Sequence, residues 1–313
     1  MSGELKIIIE RVLMLFVLII VGFIAKRTRY ISQETSDNIP KMLTKLILPA
    51  LVFSTIMNPD LSMDKITGNI VFYLAGIIVP LSSLVIVFFI SRLIRSTEKD
   101  HAVFFMLSSF SNVIFMGMPL CQALFGDVGV LGASMLAIGQ DTVLWSVGMI
   151  MLGKYGFGEK NKGHLLNPLL ITFVTAVILK LLNIPLPNFI YQPIHSLGAV
   201  TAYLAMVYVG TIVASVKIGA IFKNFRLYVF LILKLICIPM LLVLIMFVFL
   251  KGNLTDLQKN VILIEFSTSS VISLTPFFKE HNLNFSYACA IVVTGVILSM
   301  VTVPFMLWIS QHF

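Results

Sequence analysis

Apolar runs of membrane-spanning length follow one another along the chain, with only short polar stretches between them. Each run is close to the roughly 20 residues that a helix needs to cross the hydrocarbon of a bilayer. The first five runs lie at 5–25, 39–57, 70–93, 103–125 and 128–152. The second five lie at 166–182, 198–216, 227–250, 257–278 and 285–309. The pattern predicts an all-α polytopic membrane protein with ten transmembrane helices.

A polar stretch at 154–165 separates the fifth run from the sixth and is predicted to be a cytoplasmic linker. It divides the chain into a first five-helix repeat at 1–153 and a second at 166–313. Pro80 and Pro239 support this division, because each lies near the middle of the third run of its half. The sequence therefore predicts an internal duplication of the kind found in secondary transporters.

Lysine and arginine are distributed unequally between the two sets of loops. Arg11, Lys45 and Lys234 lie within or at the edge of apolar runs and are left out of the comparison. One set of loops then carries fourteen basic residues, and the other carries five, namely Lys6, Lys65, Lys180, Lys251 and Lys259. By the positive-inside rule the richer side is cytoplasmic, which places both termini outside. With five spans in each half, the two repeats are then expected to insert with opposite orientations.

The composition restricts the class of function. Hydrophobic residues make up 58% of the chain and charged residues only 12%, which is not typical of a soluble domain. The net charge of +8 arises in short loops and not in a basic nucleic-acid-binding domain. The cysteines occur singly within apolar runs, and the histidines lie in loops or at the end of the chain, so no metal site or cofactor is expected. An enzyme is not expected either, because no second aspartate lies deep in a run to pair with Asp141.

The stretch at 111–119 (SNVIFMGMP) opens with two polar residues and contains a glycine and a proline within an apolar run. Pro119 removes a backbone hydrogen bond and Gly117 adds backbone freedom, so the helix is predicted to break between Asn112 and Pro119. Within a bilayer, freed backbone groups must face protein or a water-filled cavity. The break, with Ser111 and Asn112 at its start, is therefore predicted to mark a polar binding site.

A second stretch of this kind, at 268–276 (TSSVISLTP), begins with hydroxyl side chains and ends at Pro276. Asn112 and Ser269 each lie seven residues before their proline, which predicts that they correspond in the two repeats. The hydroxyls are expected either to face a ligand and freed backbone groups or only to bond to the preceding turn at a helix interface. They belong to Ser267, Thr268, Ser269 and Ser270.

Four ionisable residues are interpreted as lying within the membrane, where such residues are rare and usually functional. Asp141, beside Gln140, and Glu265, one turn before the serines, are predicted coupling elements that could bind a proton or a sodium ion. Lys234 is either a structural counter-ion to one of these acids or the cation that receives an anionic substrate. Arg11 is expected to be an interfacial anchor.

Several motifs resemble the auxin efflux carrier family, which includes plant auxin exporters and bacterial permeases for malate and related carboxylates. They extend over nearly the whole chain: LILPALVFSTI at 46–56, SNVIFMGMPLCQALFG at 111–126, LWSVG at 144–148, NPLL at 167–170, KLICIPM at 234–240 and FFKEHNLN at 277–284. The resemblance implies two inverted five-helix repeats, whose broken fourth and ninth helices cross at mid-membrane around the substrate anion. Asn112 matches the family's crossover asparagine, and Pro119 matches its crossover proline. The ninth span departs from the family, because Ser269 stands where many members carry a proline.

These features predict a secondary transporter of small organic anions, such as malate-like, 2-oxo or other carboxylates, that works by alternating access. Helix ends exposed at the breaks would offer N–H groups to an anion. The alternatives are an anion-selective channel and a sodium-coupled organic-anion symporter of related fold. The predicted partners are a small carboxylate, a coupling proton or sodium ion and the lipid bilayer, with a homodimer left open and no nucleic acid. The predicted location is the cell membrane.

Overall fold

The computed structural model describes residues 3–93, 97–153, 168–215, 225–249 and 253–310. Within these ranges the regular secondary structure is helical, and the sole β-type pairing is an isolated bridge. The predicted linker at 154–165 lies outside the described residues.

The part of the chain before this linker forms eight α-helices and three short π-helices. In chain order they are α1 (Gly3–Arg27), α2 (Gln33–Met42), π1 (Leu43–Ile47), α3 (Leu48–Met57), α4 (Met63–Thr67), α5 (Ile70–Leu93), α6 (Glu98–Ser109), π2 (Val113–Gly117), α7 (Met118–Val143), π3 (Leu144–Gly148) and α8 (Met149–Gly153).

The described residues after the linker form eight further α-helices and one π-helix. They are α9 (Pro168–Leu181), α10 (Asn188–Ala199), α11 (Thr201–Ser215), α12 (Phe225–Ile232), π4 (Leu233–Cys237), α13 (Ile238–Phe249), α14 (Asp256–Ser267), α15 (Leu274–Glu280) and α16 (Phe285–Ser310).

Six helical segments among the described residues are long and apolar enough to cross a membrane. The longest, Val113–Gly153, has 41 residues, about twice what one crossing needs. Gly126 interrupts it with φ of 59° and ψ of −143°, a conformation that residues with a β-carbon rarely adopt. The segment is therefore two helices in space, which meet at the boundary between the fourth and fifth apolar runs.

Of the four π-helices among the described residues, three end two residues before a proline. These prolines are Pro49, Pro119 and Pro239. A proline in a regular α-helix clashes with the carbonyl four residues earlier and leaves it without a donor. In all three helices that carbonyl belongs to the π turn, where the wider helix changes the hydrogen-bonding pattern. The prolines are thus accommodated within continuous helices and do not end them.

The helices form two groups according to which of them pack together. One group contains α1, α3, α9, α10 and α11, and the other contains α5, α6, α7, α14 and α16. The helices in each group approach each other closely. In the first group, a β-carbon at Gly22 of α1 would overlap the backbone of Val207 in α11, so the two backbones pack directly against each other. In the second group, a β-carbon at Gly139 of α7 would lie 2.5 Å from the carbonyl oxygen of Tyr73 in α5. Small residues at helix contacts of this kind are typical of membrane proteins.

A polar contact joins the two groups at one end of the molecule. Asn58, which follows α3, donates a hydrogen bond from Nδ2 to Oδ2 of Asp127 over 2.6 Å. Asp127 directly follows the conformational break at Gly126. Lys180 at the end of α9 donates to the carbonyl oxygen of Asn58, so the cluster links α3, α7 and α9.

Candidate functional site

Two helices are interrupted at a place where their backbones meet, which we call the crossing, and the interruptions are hydrogen-bonded to each other. After α6 the chain becomes extended at Phe110, and after α14 it becomes extended at Thr268. Ser111 and Ser270 then lie opposite each other in an antiparallel bridge. The Asn112 N–H donates to the Ser269 carbonyl over 2.8 Å, and the Val271 N–H donates to the Phe110 carbonyl over 3.2 Å. The pairing satisfies backbone groups that a broken helix leaves free.

The position of the first interruption differs from the prediction. The helix was expected to break between Asn112 and Pro119, but the non-helical residues are 110–112. Gly117 ends π2, and Pro119 is the second residue of α7, so both lie in helix after the interruption. The physical reason is the π turn, which admits Pro119 without ending the helix. The second interruption, at 268–273, likewise precedes Pro276, which lies inside α15.

The bridge also sets the correspondence between the two interruptions. Its pair of hydrogen bonds has local two-fold symmetry, which relates Ser111 to Ser270 and Asn112 to Val271. In this local relation Asn112 is matched with Val271 and not with the predicted Ser269, which lies opposite Asn112 across the bridge. Counting back from the prolines gives a different match because Pro119 lies eight residues after its bridge residue and Pro276 lies six after its own. The crossing has an amide side chain on one arm and an apolar side chain on the other.

Ser111 is the centre of the buried polar contacts at the crossing. Its backbone N–H donates to Oε1 of Gln140 over 3.0 Å, and its carbonyl accepts from Nε2 of Gln140 over 2.9 Å. Its side-chain Oγ accepts a hydrogen bond from Nζ of Lys234 over 2.7 Å. Gln140, predicted as a coupling residue beside Asp141, thus holds the backbone of the crossing strand in place.

Lys234 brings a cation to this crossing. It lies in π4, is 1% exposed, and uses one of its three N–H groups on Ser111. Among the described residues no carboxylate lies within salt-bridge distance of its Nζ, so Lys234 is not a counter-ion to Glu265 or Asp141 there. Asp141 is half-buried and has an interaction partner of its own. A buried amine without a counter-ion is protonated most readily when an anion lies beside it, so this position favours an anionic ligand.

Several polar side-chain atoms at the crossing are buried and have no hydrogen-bond partner among the described residues: Nδ2 of Asn112, Oγ of Ser267, Oγ of Ser269 and Oε2 of Glu265. Asn112 is the N-cap of π2, yet its side chain makes no capping bond. Thr268 and Ser270 differ, because their hydroxyls donate to the carbonyls of Glu265 and Leu107. Of the four predicted hydroxyls, those of Ser267 and Ser269 are thus the ones without a hydrogen-bond partner among the described residues.

Glu265 lies in the last turn of α14 against the helix that follows the first interruption. Its side chain is fully buried, and its Oε1 accepts a hydrogen bond from the thiol of Cys121 over 3.4 Å. A β-carbon at Gly117 would overlap its Oε2, so a larger residue there would require the Glu265 carboxyl group to move. The contact with Cys121 was not predicted from the sequence. Its four-residue spacing from Gly117, which places both on one helix face, is the signal that could have indicated it.

Comparison with known proteins gives the family. The sequence profile of the membrane transport protein family, which is auxin efflux carrier-like, matches residues 7–161 and again residues 157–307. The chain belongs to this family. The resemblance inferred from the motifs is thereby confirmed, and the protein is a membrane transporter.

Two archaeal transporters resemble this one over their whole lengths. An uncharacterized transporter of Methanothermobacter thermautotrophicus is 23% identical over 309 residues, covering 96% of each chain. The uncharacterized transporter MJ1031 of Methanocaldococcus jannaschii is 21% identical over 318 residues, covering 95% of this chain and 97% of its own. The family and both relatives are transporters, which agrees with the prediction that the chain is not an enzyme.

Proposed function

We propose that this transporter carries small organic anions with a carboxylate group, bound at the crossing of the two interrupted helices. The observation that carries the proposal is the arrangement of Lys234 and Asn112 around Ser111. Lys234 contributes a buried ammonium group bonded to the Ser111 hydroxyl, and the next residue, Asn112, has a buried amide Nδ2 with no partner. The Lys234 amine lies beside Ser111, and the free N–H donor belongs to the next residue, Asn112. Together they suit a carboxylate, which accepts hydrogen bonds and carries one negative charge.

Helix geometry supports the same ligand class. Asn112 is the N-cap of π2, and π2 continues directly into α7. The first N–H groups and the dipole of this combined helix favour negative charge at the interruption. Ser267 and Ser269 add two buried hydroxyls without partners on the other arm. A single lysine and neutral donors also allow the ligand to leave, because full pairing of two charges out of water would hold it tightly.

The proposal includes ten membrane spans in two inverted five-helix repeats, with both termini outside the cell membrane. The family profile matches the chain twice, and the interruption at Gly126 divides the longest helical segment where two spans are expected to meet. The bridge between Ser111 and Ser270 relates one interruption in each half by a local two-fold axis. The excess of lysine and arginine on one set of loops supports the orientation.

Asp141 and Glu265 remain the proposed coupling residues for a proton or a sodium ion. An anion channel and a sodium-coupled symporter are the competing functions. A counterflow measurement separates a carrier from a channel, because only a carrier accelerates uptake of labelled substrate when unlabelled substrate is on the opposite side. The symporter differs in that its binding of the anion requires sodium ions.

A binding screen tests the substrate class. The purified protein is titrated with small mono- and dicarboxylates and with matched amides and alcohols, with and without sodium ions and at two pH values. We expect binding of at least one carboxylate and none of its neutral analogues. Binding that is equal for acid and amide would contradict an anion site built around Lys234.

A further inference from the structure

Glu265 is a buried acid that the anion site does not use. It lies on α14, with its Oε1 on the Cys121 thiol of α7 and its Oε2 against the α-carbon side of Gly117 in π2. Oε2 has no hydrogen-bond partner among the described residues, and the side chain is 0% exposed. An ionised carboxylate in such a place is strongly unfavourable unless a cation or several donors compensate its charge.

The neighbouring helices supply no such compensation within the described part of the chain. The helices and π turns that pack on α14 are α5, π2, α7, π4, α13 and α16. Of their titratable side chains only Cys121 contacts the Glu265 carboxyl group. Lys234 of π4 donates to Ser111 instead. The other titratable side chains make no interaction with Glu265: Tyr73, Asp127, Asp141, Cys237, Tyr287 and Cys289.

We propose that Glu265 is a proton-binding site whose occupancy is linked to anion binding at the crossing. The ligand is a proton and not a sodium ion, because the contacts of the carboxyl group are a thiol and a glycine. Hard cations require a shell of several oxygen ligands, which sulfur does not supply. The step is the reversible addition of one proton to the carboxylate, with the free Oε2 as its acceptor.

Gly117 provides the physical link from this proton to the anion site. Its backbone N–H donates to the carbonyl oxygen of Asn112 over 3.0 Å, while its α-carbon faces Glu265. Loss of the proton places a negative charge beside Gly117, in the π turn whose N-cap is Asn112. That charge opposes a bound anion, so the protonated state favours binding. The link between the proton and anion binding rests on the proposed anion function. The proton site at Glu265 itself does not depend on that function.

Infrared difference titration of the purified full-length protein tests the site without any substrate. We expect the wild-type protein to show the carbonyl stretch of a protonated buried carboxyl group, which disappears in Glu265→Gln. Glu34→Gln, a matched change at an exposed position of α2, should retain it. Identical titrations of the wild-type protein and Glu265→Gln would overturn the proposal. Replacing potassium by sodium ions at constant ionic strength should leave the wild-type titration unchanged, and a shift would assign a sodium site instead.

Variants of Cys121 keep the test decisive if Glu265→Gln fails to fold. Cys121→Ala removes the donor to Oε1 and should shift the carboxyl band to higher frequency, whereas Cys121→Ser retains a donor and should shift it less. A band that is unchanged in both variants would show that it does not arise from Glu265.

Proteoliposomes with an internal pH dye test the coupling, with malate as the probe. We expect malate entry to be accompanied by proton entry in the wild-type protein and in Glu34→Gln, and the ratio of protons to malate to fall in Glu265→Gln. Malate entry without proton movement in the wild-type protein would overturn the coupling. If neither malate nor another small acid is transported, the proposed function is at fault, and the infrared titration still decides the proton site.

Discussion

Ser111 and Ser270 face each other across the crossing of two interrupted helices, and the hydrogen bonds beside them are related by a local two-fold axis. That axis relates Asn112 to Val271, whereas the residue opposite Asn112 across the bridge is Ser269. The two arms therefore share a backbone arrangement, but their side-chain contacts differ. The Asn112 amide and the contacts with Lys234 and Gln140 all belong to the first arm. In the proposed site, an anion would therefore be held mainly from one side.

Asn112→Ala should weaken carboxylate binding on the order of tenfold to a hundredfold. A hydrogen bond to a charged group contributes about 1.5–3 kcal/mol, and the alanine removes the donor. Asn112→Asp should weaken binding further, because it introduces a negative charge beside the anion. The measurement is a calorimetric titration of the purified variants with the best-binding acid.

Val271→Ala is the matched control for this prediction, because Val271 occupies the position related to Asn112 by the local axis. It should change affinity by less than Asn112→Ala does. An Asn112→Ala protein that binds each acid as the parent does would show that the site lies elsewhere, nearer Lys234 and Asp141.

Lys234→Met should weaken anion binding at least about tenfold while leaving the protein folded. The ammonium group donates to the anion in this proposal, and removing a buried charge that has no carboxylate partner relieves its desolvation cost. Lys45→Met is the control, since Lys45 also lies in a π turn but is exposed. Binding and thermal unfolding of both variants are compared. If Lys234→Met unfolded and the additional change Glu265→Gln restored wild-type stability, the two residues would form a buried ion pair instead.

The apolar pattern of the sequence was sufficient for the helical class and for the location of most helices, because hydrocarbon thickness fixes segment length. It also placed both interruptions near their hydroxyl-rich stretches. It could not place them to the residue, since Pro119 reads as a helix breaker and only the π turn shows how it is accommodated. The same limit applies to Pro49 and Pro239.

The sequence predicted which residues belong to the candidate site, but not which of them contact each other. Asn112, Lys234 and Glu265 stand out because ionisable and amide groups are costly within apolar runs. Their partners come from helices far apart in sequence: Lys234 contacts Ser111, and Glu265 contacts Cys121. Such pairings depend on which helices pack together, and a single sequence does not show this.

Gly117→Ala should lower stability by about 1–3 kcal/mol, because the added β-carbon would overlap the Glu265 carboxyl group. In a Glu265→Ala background the obstacle is absent, and the same substitution should cost less. Thermal unfolding of the four proteins of this double-mutant cycle gives the coupling free energy. Gly22→Ala is the control, because its obstacle is the backbone of Val207 and its cost should be the same in both backgrounds. Additive effects at Gly117 and Glu265 would contradict the contact.

Asp127→Ala should destabilise the contact between the two helix groups by about 1.5–3 kcal/mol, since it removes the acceptor of the Asn58 amide. Asp127→Asn retains an acceptor oxygen and should be milder. Asp64→Ala, at an exposed position of α4, should have little effect. Thermal unfolding in detergent measures all three. Equal stabilities of Asp127→Ala and Asp64→Ala would show that the bond at Asp127 does not hold the groups together.

The proposed orientation is tested with single cysteines in a protein whose native cysteines are replaced. A cysteine at Gly158, in the predicted linker outside the described residues, should be unreachable by a membrane-impermeant thiol reagent in intact cells, because the linker is expected on the cytoplasmic side. A cysteine at Asn183, exposed in the turn after α9, should be labelled from outside. Five spans in each half require these two positions to lie on opposite sides. Labelling of both from outside would contradict a span between them, and labelling of Gly158 alone would reverse the orientation that the lysine and arginine distribution predicts.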